Sequence, residues 1–285
     1  MTPARPIILL GTHRSGTTWL GSVLSAHPGL AYYEEPRHVW CWGNASTPDD
    51  RLTEAHATPR VRAHIHAAFD EYLRKHGGET LCEKTPSNCL RVPFLNAVYP
   101  EAKLLFVVRD GRSVIRSTAQ IMAGGVPTSG IVRRAFKTPP WEWPAYSGRL
   151  VSTLKQKLTG GSLDFWGPRP PGWRDWLKQD HPDIVLAKQW AATVTTAYDD
   201  LLALGKPGEA FFMFRYEDMA REPGPTMGRL AEFLGIPKRE TLLAEAIATA
   251  NPSTIDAWRD EIDDEDLERI RPVMEPALER LGYTW

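Results

Sequence analysis

At 285 residues the chain is long enough for one large α/β domain or two small ones. A net charge of −1 excludes global attraction to nucleic acid or an anionic membrane, so any basic function must be local. Cys41, Cys82 and Cys89 form no C-x-x-C pair and leave one over, which argues against a disulfide framework and a structural zinc site; they read as small core residues in a reducing compartment. No signal peptide precedes the first apolar run and no run is long enough to span a bilayer, so the expectation is a soluble, cytoplasmic protein.

The first element is the apolar run Ile7-Ile8-Leu9-Leu10, a buried strand. It feeds Gly11-Thr-His-Arg-Ser-Gly-Thr-Thr18, and a helical pattern follows from about Thr17 to Ala26. Strand, glycine-bounded loop and helix together form a cradle for an anion, because loop amides and a helix N-terminus converge on one point. Both glycines and the last hydroxyl match the phosphate-binding loop G-x-x-x-x-G-K-[ST], but Thr17 stands at the lysine position. Positive charge sits inside the loop instead, at Arg14, whose planar fork suits phosphate or sulfate oxygens. The loop therefore reads as an anion site, though not as an ordinary ATP site.

Leu30-Ala-Tyr-Tyr33 is a second strand, delivering Glu34-Glu35-Pro36-Arg37 to the next loop. A helix from about Pro59 carries Val61, Ile65, Phe69, Tyr72 and Leu73 at helical spacing and ends at Gly77-Gly78. Thr80-Leu81-Cys82 is a third strand, with Glu83-Lys84-Thr85-Pro86 just past its end, and helix signals return from Ser87 to Val98. Lys103–Val108 is the clearest buried strand. Arg109-Asp110-Gly111-Arg112 and a helix follow it, a second strand–polar turn–helix unit. Helical order resumes over 184–204. Phe211–Arg215 is a strand ahead of Tyr216-Glu217-Asp218, 224–234 is helical, and acidic residues from Asp263 open the last helix.

Between Ala123 and Asp183 regular pattern is lost. Of the chain's 11 tryptophans, Trp141, Trp143, Trp166, Trp173 and Trp176 fall here, among many prolines. That aromatic content argues against disorder, so residues 122–183 read as an insertion covering the site, its tryptophans either subdomain core or a wall for an acceptor. Strands alternating with helices predict an α/β fold, with a P-loop-like central parallel sheet flanked by helices, as a single domain over 1–285.

Two anion-binding turns on one sheet suit a ligand with anionic groups at both ends, such as a nucleotide with a 5′ chain and a 3′-phosphate. At this point the chain resembles a sulfotransferase that uses PAPS (3′-phosphoadenosine 5′-phosphosulfate). Thr12–Trp19 resembles the family's 5′-phosphosulfate loop, Val108–Ser117 its 3′-phosphate motif, and Arg215–Asp218 a strand end that meets adenine. More weakly, Asn251–Arg259 resembles the segment that closes over the nucleotide. The closer likeness is to the tyrosylprotein and carbohydrate branch, whose loop reads P-R-S-G-T-T and whose acidic motif ends in E-E-x-R; His13 replaces the proline here.

The resemblance implies Arg14, Ser15, Gly16, Thr17, Thr18, Trp19, Arg109, Ser117, Tyr216 and Arg259 as nucleotide-binding residues, and Glu35, Lys84 and Arg14 as catalytic ones. Glu35 is the expected general base, with Glu34 one register away and His38 a third candidate. Beside Arg14, Arg37 and Lys84 its carboxylate is expected to stay ionised; the competing reading is a surface salt bridge between Glu35 and Arg37. Arg112 and Arg116 are alternatives for phosphate, one of them free to pair with Asp110. The implied reaction is metal-independent in-line transfer of a sulfuryl group from PAPS, leaving PAP (adenosine 3′,5′-bisphosphate), to the hydroxyl of a small molecule, glycan or phenol. A P-loop small-molecule kinase and a non-catalytic nucleotide-binding protein are the competing readings.

Overall fold

In the computed structural model, residues 5–124, 165–237 and 239–285 are described. Five strands form one parallel sheet: β1 (Ile7–Leu10), β2 (Leu30–Glu34), β3 (Thr80–Lys84), β4 (Lys103–Val108) and β5 (Phe211–Arg215), in the order β2-β3-β1-β4-β5. Continuous apolar runs such as IILL and KLLFVV suit this arrangement because helices cover both faces. Alternate residues divide between them. Ile8, Leu10, Leu104, Phe106 and Val108 join one core, whereas Ile7, Leu9, Leu105 and Val107 join the other.

The first core is closed by α3 (Pro59–His76), α4 (Val92–Val98), α5 (Gly111–Gly124), α7 (Pro182–Leu204) and α11 (Asp264–Arg280). The second is closed by α1 (Thr17–Ser25), α8 (Tyr216–Arg221), α9 (Pro223–Leu234) and α10 (Glu240–Thr249). Two short helices, α2 (Arg37–Trp40) and α6 (Trp173–Gln179), complete the described set. Local signals account for several helix ends. Thr58 caps α3, Asp263 caps α11, and Gly77 and Gly235 terminate α3 and α9 in positive φ.

Some elements differ from the sequence expectation. Glu83 and Lys84 are the last residues of β3, not part of the loop beyond it, because the strand pairs with β2 as far as Glu34↔Lys84. The predicted 87–98 helix is divided into a 3₁₀ turn, Pro86–Leu90, and α4; Pro93 is accommodated in the first turn of α4, where its missing N–H costs nothing. Helix α10 had no counterpart in the expectation. The insertion assigned to 122–183 begins with the end of α5 and closes with α6 and the start of α7; Trp141 and Trp143 lie outside the described residues. The three cysteines are buried and free. Among the described residues no helix is long and apolar enough to cross a membrane.

Candidate active site

In a parallel sheet, ligands gather beyond the strand C-termini where the connections diverge to either side. Here β1 lies between β3 and β4, so the turns after these strands converge. The loop after β1 holds two residues in left-handed conformation, Arg14 (φ 64) and Gly16 (φ 88). Glycine is required at 16, since a Cβ there would sit 2.3 Å from the Tyr216 ring. Ser15 is fully buried, its Oγ donating to the Thr12 carbonyl at 2.6 Å. The Gly11 amide donates to Cys89 Sγ at 3.0 Å, which gives one of the three cysteines a part in shaping the loop. Helix α1 then opens at Thr17, presenting first-turn amides with no intrahelical acceptor.

The nucleotide-side candidates meet on this loop. Arg14 is exposed and its Nε donates to Ser117 Oγ at 2.8 Å, joining the first anion turn to the helix after the second. Arg109 donates to the carbonyls of Arg14 (3.0 Å) and Thr254 (2.9 Å), and its guanidinium lies 4.5 Å from the Tyr216 ring centre. Its Nε is buried without a hydrogen-bond partner, a cation with donor capacity left over. Trp19 packs edge-on to Tyr216 and donates to Thr249 Oγ1 at 2.8 Å, while Tyr216 OH lies 3.3 Å from Thr254 Oγ1.

Other candidates lie elsewhere. Arg259 is exposed, pairs with Asp256 and covers Trp258 rather than meeting Arg109; from that segment it is the Thr254 and Ile255 carbonyls that reach the turn, the latter accepting from Ser113 Oγ at 2.8 Å. Arg112 clamps Asp110 and Arg116 pairs with Glu261.

On the base side, Lys84 is 2% exposed and its Nζ donates to Glu35 Oε1 at 3.0 Å, with Glu34 Oε1 at 3.6 Å. The Glu35 amide donates to the Lys84 carbonyl at 2.8 Å. Glu35 has φ 49; it and Arg14 are the non-glycine residues in positive φ among those described. Such a backbone persists only where its surroundings over-determine it. The Arg37 amide donates to the Glu35 carbonyl across Pro36, whose φ −74 and ψ 53 make an inverse γ-turn. Arg37 sends its guanidinium to Asp50 at 3.4 Å rather than to Glu35, and Arg14 goes to Ser117, so Lys84 is the cation that the expected trio brings onto the base. His38 Nε2 lies 3.5 Å from Tyr33 OH.

Asp50 is the hub that sequence reasoning missed. It is 2% exposed and accepts from Arg91 (3.1 Å), Ser87 (3.0 Å) and the Arg169 amide (2.9 Å) besides Arg37. Nothing in Thr-Pro-Asp-Asp-Arg distinguishes Asp50 from its neighbour Asp49, which merely accepts from the Arg51 amide. The buried Glu83 accepts from Thr85 and Asn88, and burial pushes its carboxyl up to about 7. His13 is enclosed edge-on to Trp166; burial and the adjacent Arg14 lower its pKa to about 3, so the imidazole is neutral. Among the described residues no group of three or more His, Cys, Asp or Glu is placed to hold a metal ion.

The model described as the Sulfotransferase family matches residues 6–138, which include both anion turns, Glu35 and Lys84. These matches support a sulfotransferase family related to the tyrosylprotein branch.

Among curated relatives, protein-tyrosine sulfotransferase 1 of Danio rerio is 24% identical over 98% of this chain and 72% of its own length. The Homo sapiens protein of the same name is 31% identical over 52% of this chain and 41% of its own length. A sulfotransferase domain from the curacin biosynthetic pathway superposes with a TM-score of 0.58 at 16% identity, covering 98% of both chains. A mouse sulfotransferase complexed with PAP gives 0.51 at 12% identity over 96% of this chain and 85% of that one. At these identities the solved structures share the fold.

Proposed function

We propose that the chain transfers a sulfuryl group from PAPS to an acceptor hydroxyl, with Glu35 as general base. The observation that carries this reading is the Glu35–Lys84 pair: two strand ends contribute it, beside the phosphate loop, and Glu35 is held there in a strained backbone. Similarity to the sulfotransferase family supports sulfuryl transfer. The donor is supported by the fit of the residues: the incompletely satisfied Arg109, with Ser117 and Arg14, would hold a 3′-phosphate, and the loop amides with Arg14 the 5′ end.

PAPS supplies an activated sulfuryl group; the chain supplies position and charge. Glu35 accepts the acceptor hydroxyl's proton as its oxygen attacks sulfur, and the bond from sulfur to the 5′-phosphate oxygen breaks in line. Lys84, fixed by burial, orients Glu35 and faces the negative charge that develops between the two turns; Arg14 and the loop amides stabilise the leaving phosphate oxygen. The curated relatives are named for protein tyrosine, and a phenolic hydroxyl, pKa near 10, asks less of a carboxylate base than an alcohol does.

Calorimetric titration with PAP, and separately with ATP and magnesium, each with and without chelator, tests the reading. Metal-independent PAP binding without ATP binding is expected. Metal-dependent ATP binding without PAP binding overturns it in favour of a kinase.

A further inference from the structure

The residues Tyr283-Thr284-Trp285 are built into the turn that carries Arg109. Tyr283 OH donates to Glu217 Oε2 at 2.8 Å, and Glu217 Oε1 accepts the Asp110 amide at 3.0 Å. That second bond fixes the peptide joining Arg109 to Asp110. A parallel chain of contacts runs through Arg112. Its Nη2 donates to the Thr284 carbonyl at 3.0 Å, and its guanidinium lies between the rings of Trp258 (4.1 Å) and Trp285 (5.2 Å). The same guanidinium holds the Asp110 carboxylate at 2.7 Å, while Asp110 caps α5 by accepting the Arg112 amide at 2.9 Å. Both chains therefore end on the residue next to Arg109.

These contacts also decide which charges face Arg109. Asp110 and Glu217 are the carboxylates that act on it electrostatically, and neither forms a salt bridge with it among the described residues. Arg112 occupies one and Tyr283 the other. Arg109 is left on carbonyl oxygens with Nε unpartnered. A fully paired guanidinium would have little left to offer a phosphate, whereas this one retains its charge and a donor.

We propose that Tyr283–Trp285 is a positioning element for the nucleotide: by engaging Glu217 and Arg112 it keeps two carboxylates off Arg109 and sets how strongly the protein distinguishes a nucleotide bearing a 3′-phosphate from one without it. The proposal rests on the assignment of the Arg109 turn to the 3′-phosphate. It assigns Tyr283 and Trp285 no contact with the nucleotide; they act through Glu217, Asp110 and Arg112.

The test compares PAP with AMP by calorimetry, using the whole chain and recording the thermal midpoint of each variant. Tyr283→Phe removes one hydroxyl and leaves the ring in place. It is expected to weaken PAP binding about fivefold to tenfold and to leave AMP binding within about twofold, the loss of one charged hydrogen bond's support. Trp285→Ala should lower the PAP-to-AMP ratio in the same direction, and Trp285→Tyr should restore most of it. An unchanged ratio in both Tyr283→Phe and Trp285→Ala, or equal loss of both ligands, overturns the proposal and leaves Tyr283–Trp285 a packing element. Wild-type protein that does not prefer PAP to AMP fails differently: it overturns the 3′-phosphate assignment itself, and the proposal with it.

Discussion

The two sides of the candidate site are built in opposite ways. On the nucleotide side, short continuous stretches supply nearly everything: Thr12–Trp19 and Arg109–Ser117 each follow a strand and combine a turn with a helix start. Cations there are accessible or incompletely bonded, as Arg14 and the Nε of Arg109 are. On the base side, Glu35 is positioned by residues far apart in the chain, namely Lys84 directly and Asp50 through Arg37, and Asp50 also holds Ser87, Arg91 and Arg169. Buried charges there are matched and hydrogen-bonded. One side is arranged to receive charge, and the other to hold a single carboxylate in a backbone it would not adopt alone.

If that contrast is right, damage to the base side should separate chemistry from nucleotide binding. Glu35→Gln keeps shape and most hydrogen bonding but removes the proton acceptor, so turnover with a phenolic acceptor should fall roughly 10²–10⁴-fold. PAP affinity should stay within about twofold. A parallel loss of PAP affinity would dissolve the distinction between the two sides. Next in size is Asp50→Ala. It strands Arg91, which is 1% exposed, as a buried charge without its carboxylate, and removal of one partner from such a pair costs about 3–5 kcal/mol. Urea unfolding measures this directly. A loss below about 1 kcal/mol would mean that Asp50 is not the hub described above. Arg109→Ala tests the other side. It should weaken PAP about tenfold to a hundredfold, the value of one or two charge-assisted hydrogen bonds, with little effect on AMP. Equal weakening of both nucleotides would place the 3′-phosphate elsewhere.

The same contrast explains what the sequence disclosed. The fold was legible because its central strands are continuous apolar runs and its turns are marked by glycines. The nucleotide side was legible because each turn is local in sequence. Glu35 and Lys84 stood out by resemblance to a motif that also set them side by side, but the β2–β3 register that achieves this, with Glu34 opposite Lys84, was not readable. Asp50 carried no local signal, since its role comes entirely from burial among distant donors. Helix α10 was missed because ETLLAEAIAT follows Ile236-Pro237 without a capping side chain; Arg239 occupies the N-cap, so packing of Leu242 and Ala246 on the core defines it.

Glu83 sharpens the comparison with the smallest effect. It neighbours Lys84 in β3 but lies wholly inside the protein, and its carboxyl is pushed up to about 7 by burial, against the opposing pull of Thr85, Asn88 and Lys84. A carboxyl that protonates more readily in the native state than in the unfolded chain favours the native state below the unfolded value of 4.5. That contribution is lost as pH rises through about 7. Wild-type stability should therefore decline between about pH 5 and 8 by roughly 2 kcal/mol from this group, at about 1.4 kcal/mol for each pH unit between the two values. Glu83→Gln keeps a carbonyl oxygen to accept from Asn88, turns its NH2 to donate to the Thr85 hydroxyl and removes the ionisation, so urea unfolding across that range should show a flatter profile and a more stable protein at pH 8. An identical slope in wild type and Glu83→Gln would show that the buried carboxyl titrates alike in both states, and that the base side holds its charges at no cost in this pH range.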